Sequence, residues 1–160
     1  MDIRFASEGD ISGMLSLLLQ VGQVHHVIRP DIFPPATLKY DEAALGALLK
    51  DESRPVFVAV EGDFVAGYCF CQLRSYEGSG ISTCRKELYI DDLCVDENRR
   101  GQGIATALYR HVLAYAKELG CGFVTLNVWC GNDSAMEFYE KMGLRPRHIM
   151  MEMPLEDTKC

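Results

Sequence analysis

The stretch Arg99-Arg100-Gly101-Gln102-Gly103-Ile104-Ala105-Thr106-Ala107-Leu108 constrains this chain more than any other. It joins a β-like run, Leu88 to Val95, to a strongly periodic helical segment. Two glycines one residue apart let the backbone approach a ligand without a Cβ in the way, and the helix that follows leaves its first amides unpaired. Those amides, the positive end of the helix dipole and the charges of Arg99 and Arg100 make an anion site suited to a diphosphate. The plain alternative is a glycine-rich turn with no ligand. A P-loop is excluded, because four residues between its glycines and a following Lys-Ser or Lys-Thr are missing. A dinucleotide fingerprint fails as well: Thr106 stands where Gly or Ala is needed, and Asn127 where the ribose-binding acid would be.

The rest of the chain supplies a sheet for this turn to sit on. Ile3 and Phe5 alternate with Arg4 as a first strand, and Ser7 followed by acids starts a helix through Ile11, Met14, Leu15, Leu18 and Leu19. Arg29-Pro30-Asp31-Ile32-Phe33-Pro34-Pro35 cannot continue it. A second helix is expected from Asp41 to Leu49, then a hairpin of Val56–Val60 and Phe64–Cys71, then a strand from Glu87 to Val95. After the glycine turn, a helical stripe from Ile104 to Leu119 ends at Gly120. Phe123–Trp129 reads as a strand, Asn132-Asp133-Ser134 caps a short helix that Gly143 ends, and Leu144 onward, with Ile149, Met151 and Met153 alternating, reads as a closing strand. The order β-α-α-β-β-β-α-β-α-β makes an α/β or α+β fold with a mixed sheet wrapped by helices. The unit from Leu88 to Trp129 should be a right-handed parallel crossover, which puts the glycine turn at the carboxyl end of a strand.

Composition narrows the partners. The 160 residues suit a single domain, 1–160, and the net charge of −7 argues against nucleic acid, whose phosphates need clustered Lys and Arg. Seven cysteines without a C-x-x-C pair read as reduced thiols, which implies a cytoplasmic setting, and no two histidines take the i, i+4 spacing of a helical metal site. No apolar run is expected to span a membrane, and the first residues lack the form of a signal peptide.

Order and motif together resemble the GCN5-related N-acetyltransferase (GNAT) superfamily. Arg100-Gly101-Gln102-Gly103-Ile104-Ala105 meets its signature of Gln or Arg, two residues, Gly, one residue, Gly or Ala. Asn132 to Leu144 resembles the family's next helix, N-x-x-A-x-x-F-Y-x-x-x-G-F. The resemblance implies a mixed, mostly antiparallel sheet of six to seven strands, about four helices, and a splayed parallel strand pair at the cofactor site. It implies acetyl-CoA as donor, no metal, and an amine as acceptor: a protein N-terminus, a lysine, a polyamine or another small amine. Arg100, Gly101, Gln102, Gly103, Ile104, Ala105 and Thr106 would hold the coenzyme A diphosphate. Leu93, Cys94 and Val95 would offer backbone hydrogen bonds to the pantetheine arm beside a bulge, and Asn132 would touch the cofactor while capping its helix.

Tyr139 matches the family's general acid. A phenol near pKa 10 suits a departing thiol near 8.5, and a merely packed pair with Phe138 is the alternative reading. Strand alternation sends Asp91 and Asp92 to opposite faces, so one carboxylate can face the acceptor amine, and position favours Asp92 as its base. Cys94 as an acyl-carrying nucleophile is a minor alternative. The acceptor pocket is expected between the segment holding His26, Arg29 and Phe33 and the loop around Tyr76. A homodimer through the last strand is compatible with this order, and a non-catalytic acyl-CoA-binding module is the competing function.

Overall fold

In the computed structural model, which describes residues 1–155, one sheet carries its strands in chain order: β1 (Asp2–Phe5), β2 (Val56–Glu61), β3 (Phe64–Tyr76), β4 (Arg85–Val95) and β5 (Phe123–Leu126). Neighbours are antiparallel except β4 and β5, which are parallel. The helices α1 (Ile11–Ile28), α2 (Glu42–Leu48), α3 (Ile104–Glu118) and α4 (Asp133–Lys141) connect and cover it.

Alternation along the strands divides the core in two. Val56, Val58, Val65, Tyr68 and Phe70 face α1 and α2, packing on Met14, Leu17, Leu18, Leu45 and Leu48. Phe57, Ala59, Leu88 and Ile90 face the opposite side and pack on Leu108, Val112 and Ala116 of α3, with Phe138 and Tyr139 of α4 at the margin. Each fully buried Leu or Phe contributes roughly 1.5–3 kcal/mol. Local chemistry sets the element ends. Asp10 accepts from the Ser7 amide at 2.7 Å and takes both guanidinium nitrogens of Arg4 at 2.8 Å, a hydrogen-bonded pairing that holds its carboxyl down at about 2. Asp41 accepts from the Ala44 amide at 2.7 Å, and Gly120 and Gly143 leave α3 and α4 with φ of 70° and 92°.

Three expectations are corrected. Among the described residues the sheet has five strands, not six or seven, because the segment after Leu144 is not a strand. Ile149, Met151 and Met153 stay exposed, and side-chain pairs from Arg147 to Glu87 and from Glu152 to Arg29 anchor this stretch in place of a backbone ladder. Periodicity marks which side chains could face a core; pairing also needs a free edge in register. Second, Glu8–Ile28 is long and apolar enough, at mean hydropathy 1.3, to cross a membrane by those criteria alone. Met14, Leu17 and Leu18 of this stretch pack against the sheet. Third, β5 stops at Leu126, short of Trp129. Six free cysteines lie among the described residues, Cys69 and Cys71 with sulfurs 3.7 Å apart; Cys160 lies outside them.

Candidate active site

The site begins with one extra residue on β4. Phe70 pairs with Asp92 and Cys71 with Ile90, so Asp91 has no partner across the ladder and forms a bulge. The insertion reverses the parity of the strand. Leu88 and Ile90 face α3 before it, whereas after it Cys94 faces α1 and Val95 faces α3. Asp91 and Asp92 consequently lie on the same side and line the same cavity. The expectation that alternation separates these two carboxylates is overturned by the bulge.

The parallel pairing of β4 with β5 also ends here, at Ile90 with Leu126. From Asp91 to Val95 β4 keeps only β3 as a partner, which leaves a gap on its other side. The Asp96 amide donates to Ala66 at 3.0 Å, and antiparallel alternation then turns the Cys94 amide toward β3 and those of Leu93 and Val95 toward the gap. The Cys94 thiol packs under α1, 3.6 Å from the Leu17 carbonyl, and burial pushes it up to about 12, where little thiolate forms.

Beyond Val95 the chain enters the glycine turn. Gly101 and Gly103 have φ of 76° and 82°, and a Cβ at either would meet no protein atom within 4 Å. The backbone requires glycine, and the space around it is open. Gly103 caps α3 without a side-chain bond, so the amides of Ile104, Ala105 and Thr106 have no intrahelical partner; the first such bond runs from Ala107 to Gly103 at 3.0 Å. Arg100 lies beside them, its Nε 3.4 Å from the Val95 carbonyl, and the Gln102 side-chain Nε2 donates to the Asn98 carbonyl at 3.5 Å. Arg99 departs from its expected place: it pairs with Glu61 at 3.3 Å, over the Phe64 ring, on the β2–β3 side.

A cavity of about 500 Å³ opens beside the gap, lined by Val21 and His25 of α1, by Phe33, and by Asn132, Ala135 and Tyr139. Asn132 caps α4, accepting from the Ala135 amide at 3.2 Å. Tyr139 packs against Phe138 and Tyr109, at ring separations of 5.1 and 6.2 Å, and burial followed by the nearby Cys69 and Asp92 raises its phenol well above the ordinary value. Burial likewise lifts Asp92 to about 6, although Lys39 and the Tyr68 hydroxyl, which donates to it at 2.9 Å, pull the other way. The cavity therefore holds a protonated phenol and a carboxylate that ionises just below neutrality, which is an acid and a base in one site. Among the described residues no cluster of His, Cys, Asp and Glu is arranged to hold a metal ion.

Residues 9–144 match the model of the acetyltransferase (GNAT) family. The chain belongs to the GNAT family. It is 33% identical over 87 residues to N-alpha-acetyltransferase 30 of Schizosaccharomyces pombe, a match covering 54% of this chain and 55% of that protein, so it spans about half the length of this relative. Thialysine N-epsilon-acetyltransferase of Bos taurus is 26% identical over 149 residues, covering 88% of this chain and 82% of that one. A crystal structure of a single-site mutant of the BH1408 protein from Bacillus halodurans superimposes with a TM-score of 0.93 at 32% identity, covering 97% of this chain and 99% of that one.

In this GNAT chain the cavity gathers Asp92 and Leu93, Asn132, and Tyr139 from three separate places in the sequence. The acceptor end differs from expectation. Phe33 lines it, but His25 does so in place of His26, whose Nδ1 lies 2.7 Å from the Phe33 carbonyl. Arg29 sits over the Trp129 ring at 5.8 Å, outside the lining. Tyr76 is not there at all: it bonds Glu87 at 3.2 Å, at the far end of β4. Sequence reading missed Lys39, Tyr89 and Trp129 as lining residues. Trp129, at the end of the apolar run Phe123–Trp129 and just before the cap at Asn132, was the recoverable one; Lys39, in a loop without periodicity, carried no signal.

Proposed function

We propose that this chain transfers the acetyl group of acetyl-CoA to a primary amine by direct attack in a ternary complex. One observation carries the reading: where β4 parts from β5 a cavity brings Asp92 and Tyr139 together, and the same strand leads on into the unpaired amides at the start of α3. The residues suit the donor. A diphosphate would sit on the amides of Gly101, Gly103, Ile104, Ala105 and Thr106 beside Arg100, and an extended amide-bearing arm would lie in the gap against Leu93 and Val95. Acetyl-CoA supplies an activated thioester at the inner end of that arm.

Within the cavity the chain's own groups move two protons. Asp92, ionised above about 6, takes a proton from the incoming ammonium, directly or through water, so that the neutral amine attacks. As the new C–N bond forms and the C–S bond breaks, Tyr139 donates its proton to the departing sulfur, and the second proton shed by the acylated nitrogen, directly or through water, restores the phenol. Burial holds the phenol protonated, and a thiolate released into the same desolvated space has its own proton affinity raised, which narrows the mismatch between the two. The buried, weakly acidic Cys94 is unsuited to carrying the acyl group.

Replacing Tyr139 by Phe should lower kcat on the order of 10²-fold with acetyl-CoA affinity unchanged, measured by thiol release and by calorimetric titration. Tight acetyl-CoA binding without release of thiol to any amine would instead assign a non-catalytic acyl-CoA-binding module.

A further inference from the structure

The bulge brings two carboxylates to the acceptor end, and they are not equally available. One Asp91 oxygen receives the Lys39 ammonium at 2.8 Å and the Tyr40 hydroxyl at 3.2 Å, with the Arg54 guanidinium 3.8 Å away. Arg54 in turn donates to the Tyr40 hydroxyl at 2.7 Å, which fixes the group from behind. Lys39 also approaches the Asp91 carbonyl, at 3.5 Å. Asp92 takes neutral donors only, the Tyr68 hydroxyl and the Leu93 backbone N–H. Two cations from the chain itself thus compensate Asp91, and Asp92 alone is left to receive a cation from outside.

Among the described residues Asp91 and Asp92 are the only carboxylates that line the cavity; Asp31 and Glu152 lie outside it, both already paired with Arg29. Val21, Phe33, Leu38 and Trp129 wall the acceptor end, with Phe33 and Trp129 edge to face at 5.2 Å. The Trp129 ring, which could otherwise attract a cation, already carries Arg29. Burial and the nearby Lys39 both hold His25 below its ordinary value, so it resists becoming positive. Placing a second positive charge here would set it beside Lys39 in a partly desolvated space, where repulsion between like charges is strong.

We infer that Lys39 sets the acceptor class: by occupying Asp91 from within the chain, it makes this a site for a small primary amine with one positive charge on an apolar body, and disfavours polycations. The inference rests on the acetyl-transfer reading above. Lys39 here is a specificity residue acting through Asp91 and through its own charge.

Thiol release from acetyl-CoA is to be followed with 2-phenylethylamine, spermidine, thialysine and kanamycin, at a pH well above 6 so that Asp92 is ionised throughout. The wild type should use 2-phenylethylamine with kcat/KM about tenfold or more above the other three, corresponding to roughly 1.4 kcal/mol. Lys39→Met should narrow the ratio to spermidine about tenfold by lowering the spermidine KM, whereas Lys39→Arg should keep the wild-type preference. A wild-type preference for spermidine, thialysine or kanamycin overturns the inference. So does an unchanged ratio in Lys39→Met, with thermal unfolding confirming that this variant is folded. Thiol release in the wrong order, or with none of the four, refutes this inference alone; the acetyl-transfer reading falls only if acetyl-CoA binds and peptide amines release no thiol either.

Discussion

Asp92 owes its chemistry to where its carboxyl lies rather than to its type. A carboxylate at the usual value would be too weak a base near neutrality, and burial brings Asp92 to about 6. Because the ionised form is the one that accepts a proton, kcat/KM should fall as pH drops through about 6. Lys39 favours the ionised form, so Lys39→Met should move that limb to higher pH, and Asp92→Asn should abolish it; pH–rate profiles of the three proteins check both signs. Tyr139 was legible as a candidate because F-Y has a fixed place in the α4 motif. The cation that neutralises Asp91 was not, since Lys39 comes from 52 residues away and only the folded chain brings them together.

The glycine turn shows how an element can be dictated by backbone geometry alone. Nothing in the protein would touch a Cβ at Gly103, so the cost of Gly103→Ala comes from its φ of 82° and should be about 1–2 kcal/mol by denaturant unfolding. The same change should weaken coenzyme A binding in calorimetric titration, because the added methyl projects into the open side of the turn. Helices α1 to α4 and the β2–β3 hairpin were legible for a related reason: caps, turn glycines and 3.6-residue periodicity act over a few residues. The bulge at Asp91 and the fate of residues 145–155 were not, because both depend on what the strand meets across the sheet. Alternation in Ile149, Met151 and Met153 looks the same whether or not an edge is free to pair.

At the scale of the molecule, the two cores meet different halves of the reaction. The α3 side carries the turn and Tyr139, and the α1 side carries the acceptor wall. Gly13 is where α1 rests on β3; a Cβ there would lie 2.7 Å from Val65 Cβ and Cγ2. Gly13→Ala should therefore push the helix outward, costing about 1–3 kcal/mol and raising the acceptor KM, with acetyl-CoA affinity held; thermal unfolding and initial-rate kinetics separate these effects. The extra residue in β4 reaches further than the site it builds. Because Ile90 and Asp92 already sit opposite the neighbouring residues Cys71 and Phe70, deleting Asp91 would close the ladder into regular alternation, leave Leu93, Cys94 and Val95 in their layers, and remove one of the two carboxylates. A relative recombined with this chain inside β4 is therefore to be aligned through the pairs of Cys71 with Ile90 and Phe70 with Asp92, not by counting alternate residues along the strand.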